Sequence, residues 1–235
     1  NRIFVHMNNM FEGCSSLTSL DISNFVSLVA EMKGMFKNCS SLTSITIDTS
    51  KLKAHPGIEE MFSGCSSLTS LNLSGFLDKN NDVKNFSNLF NGCSSLTSLD
   101  ISGWYTNKLV NKTNMFKGCG KLTSLYVAHF DVSNATVMEG MFSGCSGLTS
   151  LDLSGWNTKK VFNMSHMFDD CTSLESLDLS GWDEVYTFCN MTDMFRNCNS
   201  LKKIIMLRCS EKLIGEIRNA LNDAGILNQV MITTE

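Results

Sequence analysis

The feature that most constrains the fold of this 235-residue chain is an internal repeat of about 26 residues. One cysteine recurs in the same setting eight times, at Cys14, Cys39, Cys65, Cys93, Cys119, Cys145, Cys171 and Cys198. The spacings are 25, 26, 28, 26, 26, 26 and 27 residues, and each cysteine lies three positions after a phenylalanine and three before a leucine. A single unit of this length cannot bury its own apolar side chains, whereas stacked units bury them in one continuous core. The repeat therefore predicts an elongated, stacked architecture.

Each unit combines two hydrophobic periodicities. Met138, Met141, Phe142 and Cys145 have the spacing i, i+3, i+4, i+7, which predicts one or two helical turns with one buried face. In the fifth unit Lys112 stands at the first of these positions. The segment LTSLDLS that follows alternates leucine with polar residues, which predicts a short strand with one buried face.

These patterns predict an α/β repeat fold with a period in the range of leucine-rich repeats. We expect a right-handed solenoid of about eight coils, with a parallel β-sheet on one face and short helical turns on the other.

The solenoid is predicted to occupy residues 1–209. Residues 210–235 are predicted to form a C-terminal cap, with a helix at about 211–224 and then a short strand. The alternative is that another domain starts after residue 209. Because the chain begins inside the pattern and without Met, we expect it to be a piece of a longer protein.

Composition and motifs argue against several function classes. The net charge is −4 and the basic residues do not cluster, which disfavours a nucleic-acid surface. No apolar run approaches the ~20 residues of a membrane helix, so we predict no membrane insertion by this segment. The sequence has no phosphate-binding loop or nucleophile elbow, and its histidines (His6, His55, His129 and His166) occupy unrelated repeat positions. We therefore predict a non-enzymatic, monomeric protein without cofactor or metal.

The recurring cysteine has three interpretations that the sequence leaves open. A cysteine on an apolar stripe is most simply a buried thiol that packs as a small hydrophobe. Stacked coils also place equivalent Cα atoms within the ~4.4–6.8 Å range that disulfides require. A metal site would need closely spaced pairs, and no two cysteines are nearer in sequence than Cys189 and Cys198. Cys189 and Cys209 lie outside the ladder of recurring cysteines and are the better candidates for a disulfide or an exposed thiol.

The repeated unit resembles a known family. The segment VFNMSHMFDDCTSLESLDLSGWD at 161–183 is similar to the BspA-type leucine-rich repeats of bacterial surface proteins, in the Met-Phe-x-x-Cys subclass of host-associated bacteria. The resemblance extends over about residues 7–207. It implies a secreted or surface-anchored, extracellular protein that acts as an adhesin or host-interaction module. A structural stalk that projects another domain, with no ligand of its own, is the alternative.

The polar positions of the predicted strands form the candidate ligand-binding face. We predict that this face contacts a host protein or glycan through Asn72, Asp100, Tyr126, Asp152 and Asp178. The alternative is that short polar side chains only keep the sheet face solvated. Tyr126 is the aromatic exception in this column. A second, aromatic column follows the strands, and we expect it to fill the corner of the core rather than to form a sugar platform; its members are Phe25, Phe76, Trp104, Phe130, Trp156 and Trp182.

Overall fold

The structure is a computed structural model that describes residues 3–25, 28–54, 56–182, 186 and 189–235. The chain forms a parallel β-solenoid of eight coils, which confirms the predicted leucine-rich-repeat fold. The elements in chain order are β1 (Ile3–His6), β2 (Ser19–Asp21), β3 (Leu28–Glu31), β4 (Ser44–Thr46), β5 (Leu52–Ala54), β6 (Ser70–Asn72), β7 (Ser98–Asp100), β8 (Ser150–Asp152), β9 (Ser176–Asp178), β10 (Lys203–Ile205), α1 (Glu211–Asp223), a 3-10 helix (Leu227–Gln229) and β11 (Met231–Thr233). His55 lies outside the described residues.

The predicted strands form one face of the solenoid, and their pairing is parallel and in register. Leu71 pairs with Leu99 and Leu151 with Leu177, so equivalent residues of successive coils lie side by side. The face consists of three separate sheets, in the orders β2-β4, β6-β7 and β8-β9-β10-β11. The fifth coil contributes no strand at residues 122–130, and the face is interrupted there.

A second parallel ladder, which the sequence analysis did not predict, runs along another flank. It starts as the sheet β1-β3-β5 and continues through single bridges between Asn85, Asn111, Val137, Asn163 and Asn190. The asparagines of this ladder also stand at the start of the next segment of the coil, where their side chains bond to the main chain. Each accepts the main-chain N–H two residues further on, at 2.8 to 3.0 Å, as for Asn111 and Asn163.

The segments predicted as helical turns are runs of tight turns, and this detail of the prediction is corrected. In the sixth coil Gly140 and Gly144 have φ values of +58° and +71°, which a right-handed helix cannot contain. The N–H groups of Met138, Gly140, Phe142 and Gly144 donate to carbonyl groups of the next coil at 2.7–2.9 Å. Alternate N–H groups thus hold neighbouring coils together. In the described ranges, α1 is the single α-helix.

The core is built from columns of identical residues. The recurring phenylalanines form a continuous stack in which ring centroids of successive coils lie 5.4–5.8 Å apart. At the corner after the strands, Trp104, Trp156 and Trp182 are buried. Their indole N–H groups donate to main-chain oxygens of a neighbouring coil at 2.7–3.1 Å. These contacts confirm that the aromatic column fills the core corner.

The helix α1 packs on the last coil through one apolar stripe. Ser210 caps its N-terminus by accepting the Leu213 N–H at 3.3 Å, and Gly225 follows the helix with a φ of +74°. Leu213, Ile217 and Leu221 are buried. The strand β11 then pairs with β10 in parallel. The assignment of residues 210–235 as a cap stays a prediction.

Candidate functional site

Seven of the eight recurring thiols are packed in the core. The eight cysteines of the ladder are free thiols, and seven of them are buried, with Cys14 exposed at the first coil. Each buried thiol donates from Sγ to the carbonyl oxygen of the recurring phenylalanine one coil earlier, at 3.0–3.3 Å. Burial raises the pKa of Cys65 and of Cys145 to about 12. The interpretation as buried thiols is confirmed.

The two cysteines outside the ladder differ in their surroundings. Both Cys189 and Cys209 are half-buried. Burial raises the pKa of Cys189 to about 12, with the nearby Glu216 carboxylate adding to the effect. Cys209 donates from Sγ to the Leu179 carbonyl oxygen at 3.3 Å. Within the described ranges, no three or more His, Cys, Asp or Glu side chains come together as a set that could hold a metal ion.

The structure places the five predicted ligand-binding residues in one column along the strand face, and it gives four of them a structural contact. Asn72, Asp100, Asp152 and Asp178 each accept, through Oδ1, the N–H two residues further on at 2.8–2.9 Å. This side-chain-to-main-chain bond ends the strand. In Asp100, hydrogen bonds from the main chain and the side chain of Ser102 lower the pKa of the carboxyl group. Sequence reasoning missed this contact, although the recurring Asp-x-Ser pattern is its signal.

Tyr126 has no equivalent role, because its side chain cannot make that turn. The fifth coil has Tyr126, Ala128 and His129 where its neighbours have Asp, Ser and Gly. The Tyr126 side chain is 69% exposed and stacks on the His129 ring, with centroids 5.0 Å apart. The main-chain turn itself is kept, since the Phe130 N–H donates to the Val127 carbonyl oxygen at 3.0 Å, but the loss of the side-chain bond coincides with the missing strand of this coil.

An open cavity of about 430 Å³ lies beside this departure, between the fourth and fifth coils. Tyr105, Thr106, Asn107, His129 and Asp131 line it. Neither ring nitrogen of His129 has a hydrogen-bond partner or contact with solvent. An unpaired buried polar group costs about 1–3 kcal/mol, so this ring is held at the cavity against its hydrogen-bonding preference. Sequence reasoning could not find the cavity, because its walls come from two coils.

Lys112 lies in the core of the same coil. Its side chain is fully buried, and Nζ donates to the Leu109 carbonyl oxygen at 3.4 Å. Burial lowers the pKa of Lys112 to about 7, and the negative charge of Asp131 opposes that shift. A lysine in this setting titrates near neutral pH.

The repeats match a known protein-family model. Two matches to one family model, described as "Mycoplasma protein of unknown function, DUF285", cover residues 3–95 and 84–208. The chain belongs to the DUF285 family. The two ranges contain all eight recurring cysteines of the ladder, so the DUF285 match and the solenoid coincide in the chain. A search of the curated proteins finds no match.

One solved structure similar to this DUF285 chain is a leucine-rich repeat protein from Bacteroides ovatus ATCC 8483. The two are 21% identical, with a TM-score of 0.37, over 86% of this chain and 58% of that one. The match thus spans less than two thirds of the Bacteroides protein. None of the helices in the described ranges combines the length and the apolar character that crossing a bilayer requires.

Proposed function

We propose that this chain is a non-enzymatic binding module of a bacterial cell-surface or secreted protein, and that it contacts host protein or glycan through the exposed strand face. The solenoid fold fits a protein-binding or a structural repeat module. The observation that carries the proposal is the column of polar side chains held in register, with Asn72 beside Asp100 and Asp152 beside the half-buried Asp178.

The chemistry of this face suits many small polar contacts. Each turn-forming carboxylate uses Oδ1 internally, as in Asp100 and Asp152, and a carboxylate has a second oxygen with which to accept a hydrogen bond. Neighbouring strands are ~4.8 Å apart, so such acceptors repeat at a regular distance. A partner with regularly spaced donors, such as a polypeptide edge or a glycan chain, would contact several coils at once. Tyr126 adds one exposed ring to this column.

The cell-surface location and the membership of the BspA-like, Met-Phe-x-x-Cys subclass are parts of the same proposal. They are supported by the repeat motif and by the low fraction of charged residues in a sequence rich in Ser, Thr and Asn. An adhesin of this kind would place the strand face toward the host.

The second candidate function is a stalk that binds nothing. The observation that favours it is that the side chains of Asn72, Asp100, Asp152 and Asp178 already have a structural contact in every turn. The continuous phenylalanine stack and the hydrogen bonds between coils would make such a stalk rigid.

The test is a binding screen of the purified chain against extracellular-matrix proteins, host cells and a glycan panel. The main variant combines Asp100→Asn, Asp152→Asn and Asp178→Asn, because Asn72 shows that asparagine keeps the turn. A second variant, Asp100→Lys with Tyr126→Ala and Asp152→Lys, reverses charge and removes the ring.

The matched control is Glu12→Lys with Tyr186→Ala and Asp223→Lys, which makes the same kinds of change at side chains exposed elsewhere. Saturable binding that the strand-face variants lose and the control keeps supports the proposal. Binding that survives both variants refutes the strand face as the contact surface. No binding by the native chain to any member of the panel favours the stalk.

A further inference from the structure

The fifth coil departs from the repeat at the corner where the strand face ends. Gly75, Gly103, Gly155 and Gly181 occupy this corner in other coils, with φ values between +63° and +80°. His129 occupies it in the fifth coil and does not adopt a positive φ. A glycine column leaves the corner free of side chains, so His129 adds an imidazole ring to it.

That ring is one of two exposed or half-buried aromatic rings at the same cavity. His129 and Tyr105 both line the open cavity of about 430 Å³, a volume typical of small-ligand sites. Tyr105 is 55% exposed, although it follows the buried Trp104. On the strand face, the His129 ring stacks on Tyr126 with an interplanar angle of 17°. Phe130 packs edge-on against His129 at 4.9 Å, which fixes the ring from beneath the surface.

The polar groups at the cavity define what it can accept. Asp131 accepts hydrogen bonds from Ser133, and these hold the pKa of its carboxyl group below the usual range, so the group is ionised at neutral pH. Asn107 adds an amide, whereas the buried Thr106 hydroxyl is already bonded to the main-chain oxygen and N–H of Asp131, at 3.2 and 2.8 Å. All residues that line the cavity are described, and none is Lys or Arg. The site therefore disfavours phosphate, sulfate and other anions.

His129 distinguishes between the remaining ligand classes. A neutral imidazole has one donor and one acceptor nitrogen, and neither is paired here. A hydroxyl group is both donor and acceptor, so a polyhydroxylated ligand can pair with either nitrogen once it displaces the exposed Tyr126 ring. A quaternary ammonium group or an aliphatic protein side chain can pair with neither. The exposed ring of Tyr105 also suits the apolar C–H face of a sugar ring.

We propose that the cavity between the fourth and fifth coils is a subsite for one pyranose ring of a glycan, stacked on Tyr105 and hydrogen-bonded to Asp131 and His129. This rests on the proposed function, because it names the ligand class of the same binding module. It places the contact at the corner of the strand face, beside Tyr126, and not along the Asp column.

The experiment uses the whole chain and a panel of methyl glycosides of the common hexoses and N-acetylhexosamines. Saturation-transfer difference NMR detects binding, and titration gives the dissociation constant. We expect at least one glycoside to receive saturation at its ring protons. Tyr105→Ala and His129→Gly should each weaken that binding at least ~10-fold, the equivalent of about one lost contact of 1.4 kcal/mol. Tyr105→Phe keeps the ring and should bind within a few-fold of the native chain.

The variants are chosen so that misfolding does not explain a loss. His129→Gly restores the residue found in neighbouring coils, and Tyr105 is largely exposed. Tyr186→Ala removes an exposed tyrosine elsewhere and should leave glycoside binding unchanged. Saturation of no glycoside, or equal binding by Tyr105→Ala and the native chain, overturns the subsite.

The same variants separate this proposal from the proposed function. If no glycoside binds but a matrix protein binds through the strand face, the subsite is refuted and the binding module stands. If Tyr105→Ala loses binding to a protein while no glycoside binds, the cavity is a protein contact and the glycan assignment is wrong. If a glycoside binds at Tyr105 and the Asp100→Asn, Asp152→Asn, Asp178→Asn variant still binds it, the subsite stands independently of the column.

Discussion

Replacing Lys112 by Met should stabilise the protein, and the gain should depend on pH. Lys112 is fully buried at the position that Met138 and Met164 occupy in the next two coils. Its ammonium group donates to the Leu109 carbonyl oxygen over a long 3.4 Å. A methionine would fill a similar volume without an ionisable group, as it does in those coils.

The size of the effect follows from the lysine pKa. Burial lowers it from 10.5 to about 7. Each unit is worth ~1.36 kcal/mol, so protonated Lys112 lowers the free energy of unfolding by on the order of 5 kcal/mol. The unfolded chain binds a proton that the folded protein lacks between about pH 7 and pH 10.5, so native stability rises with pH in that window. Below about pH 7 both states are protonated and the full penalty remains.

Urea denaturation of the native chain and of Lys112→Met, under reducing conditions, measures the difference. We expect the variant to be more stable by several kcal/mol at about pH 6, and by about 2 kcal/mol at about pH 9. Comparing the two proteins at each pH cancels the titration of the groups that do not interact with Lys112. Lys117→Met, at an exposed lysine of the same coil, should change stability by less than about 0.5 kcal/mol. A gain that is the same at both pH values, or a loss of stability, would refute the assignment of Lys112 as a buried titrating group.

Three further predictions concern the frame of the solenoid. A maleimide should label Cys14 in the native protein and the buried ladder thiols only after unfolding, and mass spectrometry that finds fast labelling throughout would contradict the buried ladder. Ser210→Ala should lower stability by about 1 kcal/mol in urea denaturation, because it removes the N-cap of α1, and no change would mean that the cap is dispensable. Gly147→Ala should lower stability by about 1–3 kcal/mol, because the added Cβ would lie 2.6 Å from the Gly120 carbonyl oxygen, whereas Gly215→Ala in α1 meets nothing within 4 Å and should raise stability by up to about 1 kcal/mol. If Gly147→Ala were the more stable of the two variants, the distance from the added Cβ to its neighbours would not determine stability.

The solenoid was predictable because the same residues recur at the same interval. Stacking buries the same apolar residues in every unit, and it places equivalent residues of successive coils in contact. The contact of Phe116 with Phe90 and Phe142, at 5.6 and 5.7 Å, is a direct consequence of the period. The burial of Cys119 three residues further on follows from the same pattern.

The helical turns could not be told from tight turns by the apolar spacing alone. Both bury the first, fourth, fifth and eighth residues of the segment. The backbone is decided by the third and seventh residues, which adopt positive φ, as Asn114 and Gly118 do. Glycine and asparagine are the residues that tolerate this region most readily, so their recurrence at two fixed positions was the available signal. Glu60 and His166 adopt the same conformation without that signal.

The exposed column was predictable, but its chemistry was not. Alternation places Asp100 and Asp152 outward, and the structure adds that each carboxylate accepts a main-chain N–H. The cavity needs Tyr105 and His129 to come from different coils, and no single-unit pattern contains both. The His129 ring stacks on Tyr126 and meets Phe130 edge-on, contacts that are set by the local turn at residues 127–130.

The departures from the repeat are concentrated in the fifth coil, and the core explains why the fold accepts them. This coil has a buried lysine, lacks the side-chain-to-main-chain bond that ends the neighbouring strands, and contributes no strand. Yet Phe116 continues the ring stack on both sides, and the Cys119 thiol still donates to the preceding coil. In a stacked array each unit is stabilised by its two neighbours, so an intact core column can offset the loss of pairing on the face. The face of the fifth coil is therefore free to vary without breaking the solenoid, and Tyr126 and His129 lie where such variation gives a uniform array one distinct site.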